Sequence, residues 1–294
     1  MATAPPPPIR RLSPIAFLLG TGVAIAWGLN FVVIKATLAD IGPLSLMALR
    51  FCVVAVVLVH PAIRRIQRDQ ILPILIFALV FGAAHFGLMG MGMQYVNASI
   101  AAVLIQTGVP IAFLISIALD GFRPSLGQSS GVIAAIVGTA MLTNLTTADM
   151  SLLGLALLLL SATAWAIGNR LRHRLNALSA LQITVWGSAL AAPVLMLGAV
   201  GFEGFGFGTL GALTPTALGA VLFLALISSL LGTTLWWSLV ETYAFSQIAP
   251  FFLAAPVLGV FFSMALLGER LTSLQLCGAV LSLLGLAAIE LRRK

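Results

Sequence analysis

The sequence predicts an all-α integral membrane protein with ten transmembrane helices arranged as two inverted five-helix repeats. Hydrophobic residues make up 61% of its 294 residues and charged residues only 8%, and its mean hydropathy is +1.13. A soluble domain carries about 25% charged residues, so this chain has too few to cover a water-facing surface. Its apolar runs have the lengths that a bilayer requires. Lipid is therefore the expected partner of most of the surface.

Ten apolar runs, separated by polar residues or by Gly and Pro, are the predicted transmembrane helices. The first is too long for the core of a signal peptide, so it is expected to be a retained helix after a cytoplasmic tail at residues 1–13. The fifth has about 17 residues, which is the lower limit for crossing a bilayer. The runs cover residues 14–34, 43–60, 71–93, 98–119, 126–142, 151–169, 179–200, 214–238, 244–266 and 272–291.

The basic residues lie in short clusters between the apolar runs, and the net charge is +7. Such clusters are typical of membrane topology and do not indicate nucleic-acid binding. With the N-terminus inside, twelve of the fifteen Lys and Arg residues fall on the cytoplasmic side, so both termini are predicted to be cytoplasmic. The four clusters are Arg10–Arg11, Arg64–Arg68, Arg170–Arg174 and Arg292–Lys294.

The chain repeats itself at an offset of 147 residues. Each predicted half, 14–147 and 148–294, contains five helices, and an odd number places the second half upside down in the membrane. Inverted repeats of this kind are typical of secondary transporters, which bind the substrate near the bilayer midplane where the halves meet. Gly121, Arg123, Gln128, Gly131 and Gly138 match Gly268, Arg270, Gln275, Gly278 and Gly285.

Three short motifs resemble those of EamA-type transporters of the drug/metabolite transporter superfamily. They are WGLNFVVIK at residues 27–35, LRF at residues 49–51 and GERLT at residues 268–272, and the resemblance covers nearly the whole chain. The first-half counterpart of the last motif, GFRPS at residues 121–125, keeps the Gly and Arg but lacks the Glu. The resemblance implies a ten-helix carrier of the bacterial inner membrane, often an exporter of amino acids or related metabolites.

No acidic residue lies near the middle of a predicted helix. A carrier that exchanges protons for cations usually needs a buried Asp or Glu. The sequence therefore disfavours a cationic substrate and favours a neutral, zwitterionic or anionic one. The acidic residues are Asp40, Asp69, Asp120, Asp149, Glu203, Glu241, Glu269 and Glu290.

Arg50 is seven residues into the second predicted helix, which is about 10 Å along the helix axis. An arginine at that depth is unfavourable unless it is paired, hydrated or able to reach the interface. One interpretation is that it binds a carboxylate or phosphate of a substrate. The other is that it reaches the outer interface or caps a neighbouring helix end, near Asp40.

His85 lies mid-span in the third helix and is the deep side chain that could titrate near neutral pH. It is either a proton acceptor or substrate contact, or a structural residue that donates a hydrogen bond to a neighbouring helix. Both interpretations stay open from the sequence.

Further polar and aromatic side chains lie deep inside predicted helices. Trp27 and Trp165 are far from the helix ends, where tryptophan normally occurs, so they are candidates for a cavity lining. Asn30 is a candidate amide contact to substrate or, equally, a bond between helices. Gln106 and Thr107 form a polar pair before Pro110 in the fourth helix and are candidates for a binding wall.

One amide and one aromatic residue of the seventh helix complete the candidate set. Gln182 and Trp186 lie one turn apart on the same face of the seventh helix. Trp236 and Trp237 are instead interpreted as part of an interfacial aromatic belt, because Glu241 follows shortly afterwards.

Glycines spaced seven residues apart form small faces on the fifth and tenth helices. Gly131 and Gly138 form one face, and Gly278 and Gly285 form the other. Such faces allow close helix packing, either within the chain or in a homodimer.

The sequence contains no Walker loop, dinucleotide-binding motif or nucleophile elbow, so no cofactor and no enzymatic activity are expected. Three scattered histidines do not indicate a metal site. The favoured function is secondary transport of a small metabolite by alternating access, with export of amino acids or amino-acid-like metabolites preferred. The alternatives are a carrier of nucleotide sugars or phosphorylated metabolites and, from another class, a channel or membrane-embedded enzyme.

Overall fold

The computed structural model describes residues 12–143 and 151–290, and the regular structure in these ranges is helical. The first eleven residues of the predicted tail, the predicted repeat boundary at 147, Asp149 and the basic cluster at 292–294 lie outside the described residues. The helices are α1 (Pro14–Thr37), α2 (Pro43–Val59), α3 (Arg68–Met93), α4 (Ala98–Asp120), α5 (Leu126–Leu142), α6 (Leu152–Arg172), α7 (Ala180–Glu203), α8 (Pro215–Thr242), α9 (Phe245–Leu267) and α10 (Ser273–Glu290).

Each of these ten helices coincides with a predicted apolar run, and two short helices, Pro61–Arg64 and Phe207–Gly211, lie in the connections before α3 and α8. Eight of them are long and apolar enough to cross a membrane, and α2 and α5 are shorter apolar helices. The protein is therefore a multi-pass membrane protein. The largest difference from the predicted bounds is at the end of α8, which continues to Thr242 through Ser238 and Glu241. Polar residues can continue a helix beyond the apolar run, since its backbone hydrogen bonds are internal to the segment.

The helix ends follow from local sequence. Proline occupies the first turn of α1, α2 and α8, where its missing N–H removes no helical hydrogen bond. Gly121, Gly204 and Gly268 end α4, α7 and α9 in the left-handed conformation, with φ between 64° and 68°. Glycine adopts this conformation without the steric cost of a Cβ atom.

The helices α5 and α10 pack closely along their glycine faces. A Cβ atom at Gly131 would lie 2.8 Å from the carbonyl oxygen of Gly285, and one at Gly285 would lie 2.5 Å from that of Gly131. Gly138 and Gly278 have the same reciprocal relation, with 2.6 Å in both directions. The two predicted faces are thus in contact with each other inside one chain.

Two carboxylates cap helix N-termini with matching geometry. Oε1 of Glu203 accepts the backbone N–H of Leu44 at 2.7 Å, and its Oε2 accepts the backbone N–H and hydroxyl of Ser45 at 2.9 and 2.6 Å. Glu269 binds Ala98 and Ser99 at the start of α4 with the same three distances. A carboxylate stabilises the positive end of the helix dipole at each place.

Three helices are irregular where they pass through the centre of the molecule. The turns widen to π-helix at Ala78–His85 in α3 and at Phe223–Thr233 in α8, and they tighten to 3₁₀-helix at Ile105–Thr107 in α4. Such segments often occur at functional sites because they redirect side chains. These three segments carry His85, two serines of α8 and Gln106.

Candidate functional site

The irregular segments of α3, α4 and α8 surround a cavity in the centre of the helix bundle, here called the central cavity. It encloses about 800 Å³ of empty space. Side chains of α1, α2, α6 and α9 complete its wall. Its wall is mostly apolar with a few polar groups, which is typical of a small-molecule site.

Arg50 provides the charge of the central cavity. The residue is only 2% exposed and does not reach the lipid interface. Its Nε donates to Oγ of Ser229 at 2.6 Å, its Nη1 to Oδ1 of Asn30 at 3.1 Å, and its Nη2 to Oγ of Ser228 at 3.4 Å. The hydroxyl of Ser228 also donates to Asn30 Oδ1 at 2.9 Å. The interpretation that Arg50 reaches the outer interface or caps a neighbouring helix end near Asp40 is therefore wrong.

Arg50 has no acidic partner within the described part of the chain. The ion pairs found there join Arg170 to Asp120 and Arg172 to Glu241. The guanidinium carbon of Arg50 lies 4.7 Å from the ring centroid of Phe86, which provides a cation–π contact. Neutral oxygens and an aromatic face are thus its protein environment, and the positive charge is left without a protein counter-ion.

An aromatic surface forms another part of the cavity wall. Trp165 stacks on Phe252 with a centroid distance of 5.9 Å, and Trp236 stacks on the same ring at 5.6 Å. Trp27 lies 5.6 Å from Trp236, and its indole Nε1 donates to the carbonyl oxygen of Ser228 at 3.3 Å. This hydrogen bond connects the aromatic surface to the serines that hold Arg50.

Gln106 lines the cavity from the 3₁₀ segment of α4. It is 9% exposed, and its Nε2 is buried without a hydrogen-bond partner in the described residues. An unpaired buried amide is unfavourable, since the group has lost water without gaining a replacement. A bound molecule with an acceptor oxygen would satisfy it.

His85 lines the cavity and is also tied to α6. Its Nδ1 lies 2.8 Å from Oγ of Ser161, and the same hydroxyl donates to the backbone carbonyl of His85 at 2.7 Å. His85 thus makes the hydrogen bond to a neighbouring helix that the structural interpretation expects, and it also lines the cavity.

Three residues predicted for the site lie outside the cavity wall. The hydroxyl of Thr107 donates to the carbonyl oxygen of Leu104 in its own helix. The side chains of Gln182 and Trp186 donate to the carbonyl oxygens of Arg65 and Ile63 in the α2–α3 connection. Local spacing along a helix does not reveal which neighbour its face meets, and here that neighbour is a loop.

Part of the cavity wall was not predicted from the sequence. Trp236 and Trp237 are 6% and 8% exposed and line the cavity, so their assignment to an interfacial belt is wrong. Ser228 and Ser229, which hold Arg50, were also missed. The available signal was the pair of serines in the middle of an apolar run, since polar residues at that depth need partners inside the bundle.

A second, wider space continues from the central cavity to one end of the molecule. This vestibule comprises about 1,620 Å³ including its open mouth, and it shares Trp165, Trp236 and Phe252 with the cavity. Its outer part is lined by Asp120 and Arg170, which form an exposed ion pair with distances of 2.7 Å. The cavity therefore connects with the end of the molecule that bears Arg170.

The opposite end of the bundle is held by contacts between helices. Nζ of Lys35 donates to the carbonyl oxygens of Met93 and Val96 at 2.8 Å each. The cap that Glu269 places on the start of α4 lies at the same end. These contacts join α1 and the α9–α10 loop to the α3–α4 loop and the start of α4.

A model of the EamA-like transporter family matches residues 14–144 and 152–291, which is nearly the whole chain. The chain belongs to the EamA-like transporter family. Glu269 of its GERLT motif acts here as a helix cap and not as a cavity group.

Several members of the EamA-like family are similar along most of their length. Proteins named probable amino-acid metabolite efflux pump share 31% identity in Salmonella typhimurium strain LT2 and 29% in Escherichia coli K12, in each case covering 90% of this chain and 91% of the relative. An uncharacterized transporter of Bacillus subtilis shares 23% identity over 90% of this chain and 92% of its own. One solved crystal structure has the same fold, with a TM-score of 0.67 at 15% identity over 93% of this chain and 96% of that one. Family and relatives point to a transporter and not to an enzyme.

Proposed function

We propose that this EamA-like protein is a secondary transporter that exports amino acids or amino-acid-like metabolites across the bacterial inner membrane by alternating access. The observation that carries the proposal is the buried guanidinium of Arg50, which has no acidic partner in the described residues and lies beside an aromatic wall. The names of the Salmonella and E. coli relatives support the direction and the substrate class.

In this proposal, Arg50 binds the substrate carboxylate. A guanidinium has five N–H groups, and protein atoms engage three of those of Arg50. The remaining two, one on each terminal nitrogen, are available to a carboxylate. The indole and phenyl rings contact the apolar part of the substrate, which supplies binding area without further charge.

The proposed topology has ten spans in two inverted five-helix repeats. Equivalent features recur at the offset of 147: Ser125 and Gln128 form a capping box at the start of α5, and Thr272 and Gln275 form the corresponding pair of bonds at the start of α10. The reciprocal glycine contacts between α5 and α10 support a two-fold relation between the halves. The wide turns in α3 and α8 occupy the third helix of each half.

The side of opening follows from this topology. With both termini cytoplasmic, Arg170 and the vestibule face the cytoplasm, while Lys35 and Glu269 lie on the periplasmic side. The structure then corresponds to an inward-facing state, into which a cytoplasmic metabolite can diffuse. Release outside requires separation of the periplasmic contacts and closure of the vestibule.

Carriage of nucleotide sugars or other phosphorylated metabolites is less well supported. A phosphate carries more negative charge than one guanidinium neutralises. The two arginines of the vestibule, Arg170 and Arg172, are already paired with Asp120 and Glu241.

Counterflow in proteoliposomes tests the proposal. Liposomes loaded with one unlabelled amino acid or amino-acid derivative should take up its labelled form, and the variant R50M should lose this exchange. The matched control R123M changes an exposed arginine and should retain it. If no amino acid or derivative exchanges with the wild-type protein, the proposed function is wrong.

A further inference from the structure

The charge of the central cavity constrains which molecules it binds. Arg50 is its cation, and no acidic residue lines it among the described residues. The carboxylates of the vestibule wall are Glu290 and Asp120, and Asp120 is engaged by Arg170. Among the described residues, the cavity wall therefore carries one positive charge, that of Arg50, without a counter-ion and in an apolar setting.

The charge of the bound substrate decides how well this cavity is neutralised. A zwitterion has no net charge and leaves the filled cavity at +1, whereas a monoanion brings it to zero. In a medium of low dielectric constant, a neutral filled site is strongly preferred to a charged one. The same count disfavours a dianion, which would leave −1.

Hydrogen-bond acceptors around Arg50 are also already in use. Oδ1 of Asn30 accepts from both Arg50 and Ser228, and Oγ of Ser229 accepts from Nε of Arg50. Beside the guanidinium, the groups left over are two N–H groups of Arg50 itself, and the buried unpaired atom of Gln106 is its donor Nε2. An acceptor-rich ligand end fits such a set, and an ammonium group does not.

The covalent structure of an amino acid makes this mismatch unavoidable. Its α-ammonium is one carbon away from the carboxylate, so a carboxylate bound to Arg50 holds the ammonium within about 5 Å of the guanidinium, where like charges repel. The indole rings could hold a cation, but Trp165 and Trp236 each stack on Phe252, which covers part of one face of each indole.

From these observations we infer that the preferred substrate is an organic monoanion with one carboxylate, an apolar or aromatic body, and an α-amino group that is absent or acylated. This inference rests on the proposed function and narrows its substrate class. Outward movement of a monoanion is favoured by an inside-negative membrane potential, so export needs no proton relay through the cavity.

Competition in counterflow distinguishes the alternatives. The exchange of labelled N-acetyl-L-phenylalanine by proteoliposomes is measured with one unlabelled competitor at a time. The competitors are phenylalanine, N-acetylphenylalanine, phenylpyruvate and phenylalanine amide. The two anions should inhibit at concentrations at least about tenfold lower than the zwitterion, and the cationic amide should not inhibit. If phenylalanine exchanges and its two anionic analogues do not, the inference is wrong and the proposed function stands. If none of a panel of amino acids and derivatives exchanges, the proposed function itself fails.

A variant that adds a negative charge to the cavity provides an independent test of the preference for anions. The variant Q106E adds an acid to the cavity, and the control Q67E adds the same charge at an exposed position between α2 and α3. Q106E should lower the ratio of anion to zwitterion exchange by about tenfold or more, and Q67E should not change it. An unchanged ratio in folded Q106E contradicts the inference.

The dependence of net efflux on the membrane potential provides a third test. Proteoliposomes loaded with N-acetylphenylalanine and potassium receive valinomycin, and a tenfold outward potassium gradient makes the interior negative. Net efflux should accelerate, and reversing the gradient should slow it. Efflux that is indifferent to the gradient would show electroneutral transport and contradict movement of a lone monoanion.

Discussion

The Nη1 group of Arg50 donates a hydrogen bond of 3.1 Å to Oδ1 of Asn30, and these two residues come from different helices, α2 and α1. Because Asn30 also accepts from Ser228 of α8, one amide oxygen connects three helices at the polar end of the cavity. The orientation of the guanidinium thus depends on a neutral acceptor, which leaves its charge available to a ligand.

The variant N30D should separate substrate binding from folding. The amide oxygen at this position lies 3.1 Å from Nη1 of Arg50, so a carboxylate there would pair with the guanidinium and compete with the substrate. Exchange should therefore fall by at least about tenfold. The midpoint temperature of thermal unfolding in detergent should not fall, since a buried cation gains a partner. Exchange at the wild-type level would show that the charge of Arg50 is not used for binding.

The cavity tryptophans should control the size of the accepted substrate. Replacing Trp236 by Ala removes a ring that stacks on Phe252. The half-saturating concentration of an aromatic substrate should rise by about tenfold, because the lost stacking contact and buried apolar area contribute about 1–2 kcal/mol of binding free energy. W186A is the matched control, because that ring contacts the α2–α3 connection and not the cavity. Equal effects of W236A and W186A on selectivity would contradict the placement of the site.

The two carboxylate caps should each stabilise the fold. E203A and E269A remove the acceptor from the first turn of α2 or α4, and each should lower the free energy of unfolding by about 1–2 kcal/mol. Denaturant titration in detergent measures this, and D69A, at an exposed position, should change it much less. Both caps lie at the end that must open in the proposed cycle, so each change is expected to alter transport as well.

Close packing of α5 on α10 predicts a steric cost for any side chain at the contact. G138A should lower the free energy of unfolding by about 1–3 kcal/mol, since backbone atoms of α10 occupy the space of the new methyl group. Gly22 lies in the interior of α1 with open space around it, so G22A should be neutral or slightly stabilising. Comparable destabilisation by both changes would contradict the packing.

Accessibility labelling should reveal whether the two halves have opposite orientations. Arg123 and Arg270 are equivalent at the offset of 147, and both are exposed. In a background without Cys52 and Cys277, a membrane-impermeant thiol reagent added outside the cell should label R270C but should label R123C only after the membrane is opened. Labelling of both from the same side would rule out inverted repeats.

The sequence by itself determined the class of fold and the positions of the helices. A chain with 8% charged residues can cover its apolar surface only with lipid, and a helix satisfies its own backbone hydrogen bonds wherever its side chains point. For that reason the ten apolar runs marked the helices to within a few residues. Deep polar or aromatic residues such as Arg50 and Trp27 were also recognisable, because the bilayer makes their positions costly.

Only the tertiary structure decided which of these deep side chains share a cavity. Arg50, Asn30 and Ser228 are far apart in sequence, and their hydrogen bonds depend on how α1, α2 and α8 approach one another. Gln182 and Trp186 have the same helical spacing as a binding face, yet their helix presents them to a loop. Helix packing is set by contacts between distant segments, so periodicity within one helix identifies a buried face without identifying what that face meets.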